Sequence, residues 1–273
     1  MPHNKLTYLI DFIDDDSLEI RKEILKQLSG YGFDLEEDLN KYRGLIDSEK
    51  MSLIIPILEE NRRMWIKENW NSWFNLETDN EKIETALSLL SKFHYGIYYK
   101  PELQQLLDEL AEEFKNKIPY GDELDLSFFL FQEKQITGSK EDYYNPFNSN
   151  PIYTVKEKKG LPITLCLIYI LVGSRLGFSI KGCNYPGHFL AKVEFDNELI
   201  FVDCFSSGKV FFENDITNLL KDSELELDKV INEYTTAEKI IHRVINNLIN
   251  SYSLLNDHTN VDFFKELSSS IIS

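Results

Sequence analysis

The stretch from Gly160 to Gly177 is the longest apolar run in a chain that otherwise carries 46 acidic and 29 basic residues. Pro162 suits a first helical turn, because its ring presets φ and its missing N–H would have lacked a partner there. Gly177 suits the C-terminal stop. Apolar side chains lie all round the intervening segment, which is the pattern of a helix enclosed by other elements. At about 15 residues, or roughly 22 Å, it is too short for the ~20 apolar residues that span a bilayer. The spacing therefore predicts a core helix.

What surrounds that helix follows from the rest of the chain. A length of 273 residues with 42% hydrophobic content supports a large core, in one big domain or two smaller ones. The formal net charge of −17 argues against a nucleic-acid backbone or an anionic membrane as the main partner. The start lacks an apolar signal segment, and three cysteines without a Cys-x-x-Cys pair fit a reducing compartment, so a cytoplasmic protein is expected. Five scattered histidines offer no zinc spacing, and no Gly-rich phosphate loop is present, so no metal and no cofactor are expected.

Before the core helix the pattern is helical. An Asp16 cap with Glu19 three residues on precedes Ile20, Ile24, Leu25 and Leu28, giving a short helix, acidic cap and longer helix that resemble one HEAT-type pair. A helix within 48–74 is expected to bend or break at Pro56, with Trp65, Trp70 and Trp73 supplying core. Two amphipathic helices follow, one through Ile83, Leu87, Leu90 and Phe93, the other through Leu103, Leu107, Leu110 and Phe114. On the second, Asp108, Glu109, Glu112 and Glu113 read as a solvated face rather than a metal site. The polar stretch 133–150 is expected to be a long loop, the kind that lids a site. Lys156, Lys158 and Lys159 form a basic run that is either a solvated loop or a charged rim drawing an acidic peptide.

After the core helix the periodicity changes to two. Runs at Phe178–Cys183, His188–Phe195 and Leu199–Cys204 predict strands, the last two joined as a hairpin at Asp196-Asn197, and Gly208–Phe212 adds a further one. Residues 236–273 return to two helices, with a turn at Asn256-Asp257. The fold class is α+β: a helical N-terminal region, a buried helix packed on a small antiparallel sheet, and a C-terminal helical pair.

Gly160-Leu161-Pro162, Pro186-Gly187-His188-Phe189-Leu190 and Phe201-Val202-Asp203 stand in the order of the transglutaminase-like core, a relative of the papain-type cysteine proteases. That core has a Gly-x-Cys turn that opens a buried helix, a Gly-His on one strand and an Asp at the end of the next, and this sequence resembles it in the order of these parts. Asp142 to Ser149, which includes Asn145 and Asn148, together with Lys159 to Leu165 and Pro186 to Leu190, is similar to the bacterial SirB-type subfamily. The resemblance implies three regions: N-terminal helices over 1–75, a transglutaminase-like core over 76–235, and a tetratricopeptide-like helical pair over 236–273. It also implies a site at the start of the core helix, with Asn145, Asn148, Pro162 and Tyr185 lining it and His188 and Asp203 as its polar pair.

In the parent chemistry a thiol at a helix N-terminus is acidified by the helix dipole and an adjacent imidazole, whose tautomer a carboxylate fixes. Here His188 and Asp203 take the family's His and Asp positions, but the cysteine position is Pro162, which has no nucleophilic atom. Cys166 lies on the same helix face about 6 Å deeper along the axis, among apolar neighbours that suit an inert thiol. Thr164 offers a hydroxyl near the helix start, where it could equally bond to free backbone N–H groups or a polar neighbour. Cys183 and Cys204 read as small core residues. His188 and Asp203 are either a retained dyad lining a cleft or a buried hydrogen bond that holds the fold.

Three functions follow as expectations. The first is a regulatory module that binds a protein or peptide without catalysis. The second is a hydrolase or acyltransferase with His188 as base, Asp203 as its orienter, and Thr164 or Cys166 as nucleophile. The third is a structural partner protein in which the His–Asp pair is only scaffolding.

Overall fold

Pro162 is the first residue of a helix that buries every side chain from its own ring to Val172, and the fold of the second half of the chain is built around that segment. The computed structural model describes residues 5–185, 188–195, 198–213, 215–216 and 235–272. The chain divides into two units, Met1–Asn71 with Leu89–Lys100, and Ser72–Ser88 with Pro101–Ser273.

In the first unit, helices α1 (Lys5–Asp11), α2 (Leu18–Ser29), α3 (Leu35–Asn40) and α4 (Ser48–Asn69) share an aliphatic core of Leu9, Ile10, Ile24, Leu28, Leu35 and Ile54. The cap of α2 is Ser17, not the expected Asp16. The Ser17 hydroxyl accepts from the Ile20 N–H at 3.5 Å, while Asp15 accepts from the Ser17 N–H at 2.8 Å, so the acidic run secures the cap from two residues before it. Ile20, expected on the apolar face, is exposed. Helix α4 runs unbroken through Pro56, where a break was one expectation. The lost N–H costs one helical bond, and the buried Ile54 and Leu58 hold the helix on either side of it. Trp70 and Trp73 are buried, whereas Trp65 is half-buried with the Lys92 ammonium 5.4 Å from its ring.

The same unit contains a closed polar network. Arg62 forks onto Glu36, with Nε donating to Oε2 at 3.3 Å, and its Nη1 donates to the carbonyls of Phe93 and His94 at 3.2 and 3.3 Å. Glu36 Oε2 also accepts from the Ile97 N–H at 3.2 Å. Gly96, at φ +107°, is the residue that lets the backbone reach the carboxylate, because a Cβ there would overlap it.

Helix α5 (Asp79–Tyr95) contributes residues to both units. The second unit continues with α6 (Leu103–Lys117) and α7 (Glu123–Phe128), the latter opened by a reciprocal capping box between Asp122 and Asp125 and extended by one π turn. Asp108 of α6 is not simply solvated as expected. It accepts from Arg175 Nε at 2.5 Å, and Arg175 also forks onto Glu84 at 2.8 and 2.9 Å.

The polar stretch 133–150 is packed, not an open lid. It contains β1 (Thr137–Gly138), paired in parallel with β2 (Lys159–Gly160), and a 3-10 turn at Pro146–Ser149. Ser139, Asn148, Ser149 and Asn150 are buried, and Asn side chains make the turns that hydrophobicity would have made elsewhere. The basic run is likewise not a loop. Lys156 is in the last turn of α8 (Pro151–Glu157), Lys158 is its left-handed cap, and Lys159 is in β2.

Helix α9 (Pro162–Arg175) packs against α6, α7 and α8 and against the sheet. It ends in a Schellman motif: Gly177, at φ +82°, donates to the Ser174 carbonyl, and Phe178 donates back to Gly173 at 2.9 Å. The sheet is an antiparallel meander of β3 (Ile180–Cys183), β4 (Leu190–Phe195), β5 (Glu198–Asp203) and β6 (Lys209–Phe212). Ala191 pairs with Val202, and Cys183 with Leu190. The expected hairpin turn at Asp196-Asn197 lies outside the described residues, as do Pro186 and Gly187. His188 precedes β4 rather than opening it. Helices α10 (Ala237–Leu254) and α11 (His258–Ile272) pack along each other, with Tyr252 stacked on Phe264. The architecture is α+β, with the small antiparallel sheet against the buried helix.

Candidate functional site

Asp203 is the last residue of β5, and its position there is fixed by the turn that follows. Its Oδ1 accepts from the backbone N–H groups of Phe205 and Ser206, both at 3.0 Å, an Asx turn that stops the strand and fixes the carboxylate. The same oxygen is 2.8 Å from His188 Nε2. Extending the β4–β5 register by three residues places His188 opposite Phe205, whose ring meets the imidazole edge-on at 6.0 Å. Burial alone would raise the Asp203 carboxyl, but the bond and charge of His188 and the bonds from Ser206 outweigh it and hold the pKa below the usual carboxylate value. Asp203 is buried, while a quarter of the His188 side chain remains exposed.

The backbone around His188 is braced separately. Its N–H donates to the Tyr185 carbonyl at 3.0 Å, and its own carbonyl accepts from Arg243 Nη2 of α10 at 2.8 Å. Arg243 also binds the Asn184 side-chain oxygen and lies over the Phe189 ring, 5.3 Å from its centroid. Tyr143 packs edge-on to Phe205 at 6.0 Å and to the exposed Tyr144 at 5.2 Å, so His188 borders an aromatic surface. Burial raises the Tyr143 phenol, and the nearby Arg243 guanidinium pulls the other way.

The remaining candidates from the sequence fall into three places. Pro162 stands at the first turn of α9, behind a Leu161 cap that supplies no side-chain bond. Thr164 and Cys166 are both fully buried. The Thr164 hydroxyl has no hydrogen-bond partner among the described residues, so the expected bond to a backbone N–H or polar neighbour is not made. Cys166 adjoins Cys204, whose thiol is pushed well above its ordinary pKa by burial and then by Cys166 itself; burial likewise takes Cys183 to about 11. Among the described residues no hydrogen bond joins His188 to Thr164 or Cys166. Asn145 and Asn148 brace their own turn. Asn145 caps Phe147 N–H at 3.0 Å, and Asn148 donates to the Asp142 and Tyr143 carbonyls while its backbone carbonyl receives the Leu161 N–H at 3.1 Å. Tyr185 packs with Cys183, Leu190 and Phe201 on the sheet.

Arg243, Tyr143 and Phe205 complete this surroundings and were not singled out from the sequence. Arg243 stands on the polar side of its helix, away from the face that Ile240, Ile241, Val244 and Ile245 bury, so helical periodicity reads it as an ordinary surface cation. Among the described residues no cluster of side chains could hold a metal ion, and no helix is long and apolar enough to cross a membrane.

This arrangement of buried helix, His188 before one strand and Asp203 at the end of the next lies wholly within residues 99–246, which match the description "Transglutaminase-like superfamily". The chain belongs to the transglutaminase-like superfamily. Two relatives described as UPF0162 proteins come from Xylella fastidiosa. One, from strain 9a5c, is 26% identical over 148 residues, 51% of this chain and 52% of the relative; the other, from strain Temecula1, is 36% identical over 81 residues, 30% and 29% of the two. Mouse F-box only protein 21 is 26% identical over 150 residues, 48% of this chain and 23% of that protein. The transglutaminase-like chain thus spans about half or less of the length of these relatives. No solved structure matches it.

Proposed function

We propose that this transglutaminase-like protein, of the SirB type, binds a protein or peptide segment on the surface around His188 and performs no acyl transfer there. The carrying observation is Pro162 at the helix turn where a thiol would stand, with Thr164 and Cys166 both 0% exposed. A nucleophile must meet both the base and the substrate, and these two atoms meet neither. Tyr143, Tyr144, Phe205 and the exposed edge of His188 supply rigid aromatic area with a polar handle, the composition that anchors peptides at low entropic cost. Three buried free cysteines support action in a reducing cytoplasm.

The test has two arms. Alkylation of the native protein with site mapping is expected to leave Cys166, Cys183 and Cys204 unlabelled until denaturant is added, and an electrophilic acyl probe is expected to label nothing. Rapid His188-dependent labelling of Cys166 or Thr164 would overturn the reading in favour of an active hydrolase or acyltransferase. In the second arm, a peptide array probed with wild type and with Tyr143→Ala should show binders that the variant loses; an identical pattern from both would remove His188's surroundings as the binding surface. The variant Pro162→Cys sharpens the first arm. A thiol installed at the first turn of α9 should alkylate at least about tenfold faster than a free cysteine, and His188→Ala should abolish the excess.

A further inference from the structure

Helix α10 lines one pocket with three nitrogen-bearing side chains, Lys239, His242 and Arg243. The pocket has a volume of about 530 Å³, and Asn184, Phe189 and Ile271 contribute to its walls. Such a grouping runs against the composition of a chain with a formal charge of −17. Glu238 also borders the pocket, but its carboxylate is paired with Lys82 at 3.0 Å. Arg243 has no carboxylate partner among the described residues. Its Nη1 and Nη2 are directed at the neutral oxygens of Asn184 and His188, which leaves further N–H donors of the guanidinium uncommitted. His242 Nδ1 faces the Asn246 amide nitrogen at 3.0 Å; with that nitrogen as donor, the imidazole proton is on Nε2, a further donor.

A half-buried guanidinium without a counter-charge carries a desolvation cost that a bound anion would offset through charge-assisted hydrogen bonds. Burial does lower the Arg243 pKa, although the group stays protonated at neutral pH. The walls decide the type of anion. Ile271 offers carbon surface rather than additional donors, and Phe189, fully buried beneath the Arg243 guanidinium, backs the pocket with an apolar ring, which suits an organic acid better than a fully hydrated phosphate. We infer that this pocket is a subsite for an organic carboxylate with an apolar body, the chemistry of a peptide's terminal residue, held by Arg243, Lys239 and His242. The inference stands whether or not the surface around His188 binds a partner, since its one link to that residue is the backbone carbonyl.

The test is a titration of isotope-labelled full chain with N-acetyl-phenylalanine, followed by amide chemical shifts. Saturable shifts are expected at Asn184, Phe189, His242 and Arg243. N-acetyl-phenylalanine amide, which has the same body without the charge, should bind at least about fivefold more weakly, and Arg243→Gln should lose a similar factor. Lys239 is exposed, so Lys239→Gln tests the same point in a protein whose fold is not at stake, with about a twofold or larger loss expected. Equal binding of the amide, equal binding of inorganic phosphate, or shifts confined to other residues would each overturn the assignment.

Discussion

Two regions of the molecule set a carboxylate in a network with nitrogen-bearing side chains, and they are finished differently. In the first unit Glu36 and Arg62 spend their capacity on each other and on the backbone of Phe93, His94 and Ile97. In the second, Asp203 is satisfied by His188 and its own turn, but the His188 ring keeps an exposed edge, and among the described residues the Arg243 hydrogen bonds go to neutral oxygens. A network that closes on backbone fixes a fold. One that stops with donors unspent has room for a ligand. The contrast fits a scaffolding role for the first region and supports the recognition role proposed for the second, and both can be broken by measurement.

The largest expected effect is that of acid on the first region. His94 is partly buried, and the desolvation of its ring followed by the Arg62 charge lowers its pKa to about 3. The unfolded chain, with an ordinary histidine pKa near 6.5, therefore binds a proton between those values that the folded protein refuses. The stability tied to neutral His94 is present above about pH 6.5 and falls by about 4 kcal/mol by pH 3. Urea unfolding across this range should show a steeper decline for wild type than for His94→Gln. Parallel curves would mean that His94 accepts a proton in the folded state.

Next in size is removal of the cations. Arg62→Ala leaves Glu36 charged and largely enclosed, removes the bonds to two carbonyls, and should cost about 3 kcal/mol in urea unfolding. Arg243→Ala removes bonds to neutral, more accessible acceptors and should cost about 1 kcal/mol. If the two costs came out equal, the distinction between closed and open networks would fail.

Asp203→Asn separates charge from shape within the second region. Asparagine can keep the Asx turn through its side-chain oxygen, so what is lost is the charge-assisted part of the bond to His188, about 1 kcal/mol at neutral pH. The Asp203 pKa is depressed in the folded state. Its contribution is therefore full above the unfolded carboxyl value and lost as pH falls through the folded one, and wild type and variant should converge in acid. A gap that persists at low pH would assign the loss to the turn and not to the ion.

How much of this was legible depended on whether a feature is local. The span of α9 followed from Pro162 and Gly177, and the meander from period-two runs, because backbone sterics and burial act within a few residues. The meeting of His188 and Asp203 was accessible through the resemblance and strand pairing together. What escaped was set by distant partners. Arg175 reaches Glu84 and Asp108, and Arg243 reaches Asn184 and the carbonyl of His188, from sequence separations no periodicity encodes. The packed stretch 133–150 escaped for another reason: its order rests on Asn145, Asn148 and Asn150 folding back on their own turns, and such residues look the same in an open loop.

The smallest effect bears most directly on chemistry. Thr164 presents a hydroxyl to the core with no hydrogen-bond partner among the described residues, and a buried orphan hydroxyl costs desolvation without return. Valine has nearly the same shape and removes only that oxygen. If the hydroxyl has no chemical task, Thr164→Val should leave the fold unchanged and be neutral to about 1 kcal/mol more stable in urea. A nucleophile near His188 would instead need an activating bond, and losing it would destabilise the protein while abolishing acyl-probe labelling. A stabilised variant would remove Thr164 from the list of nucleophiles and leave Pro162 as the whole account of the first helical turn.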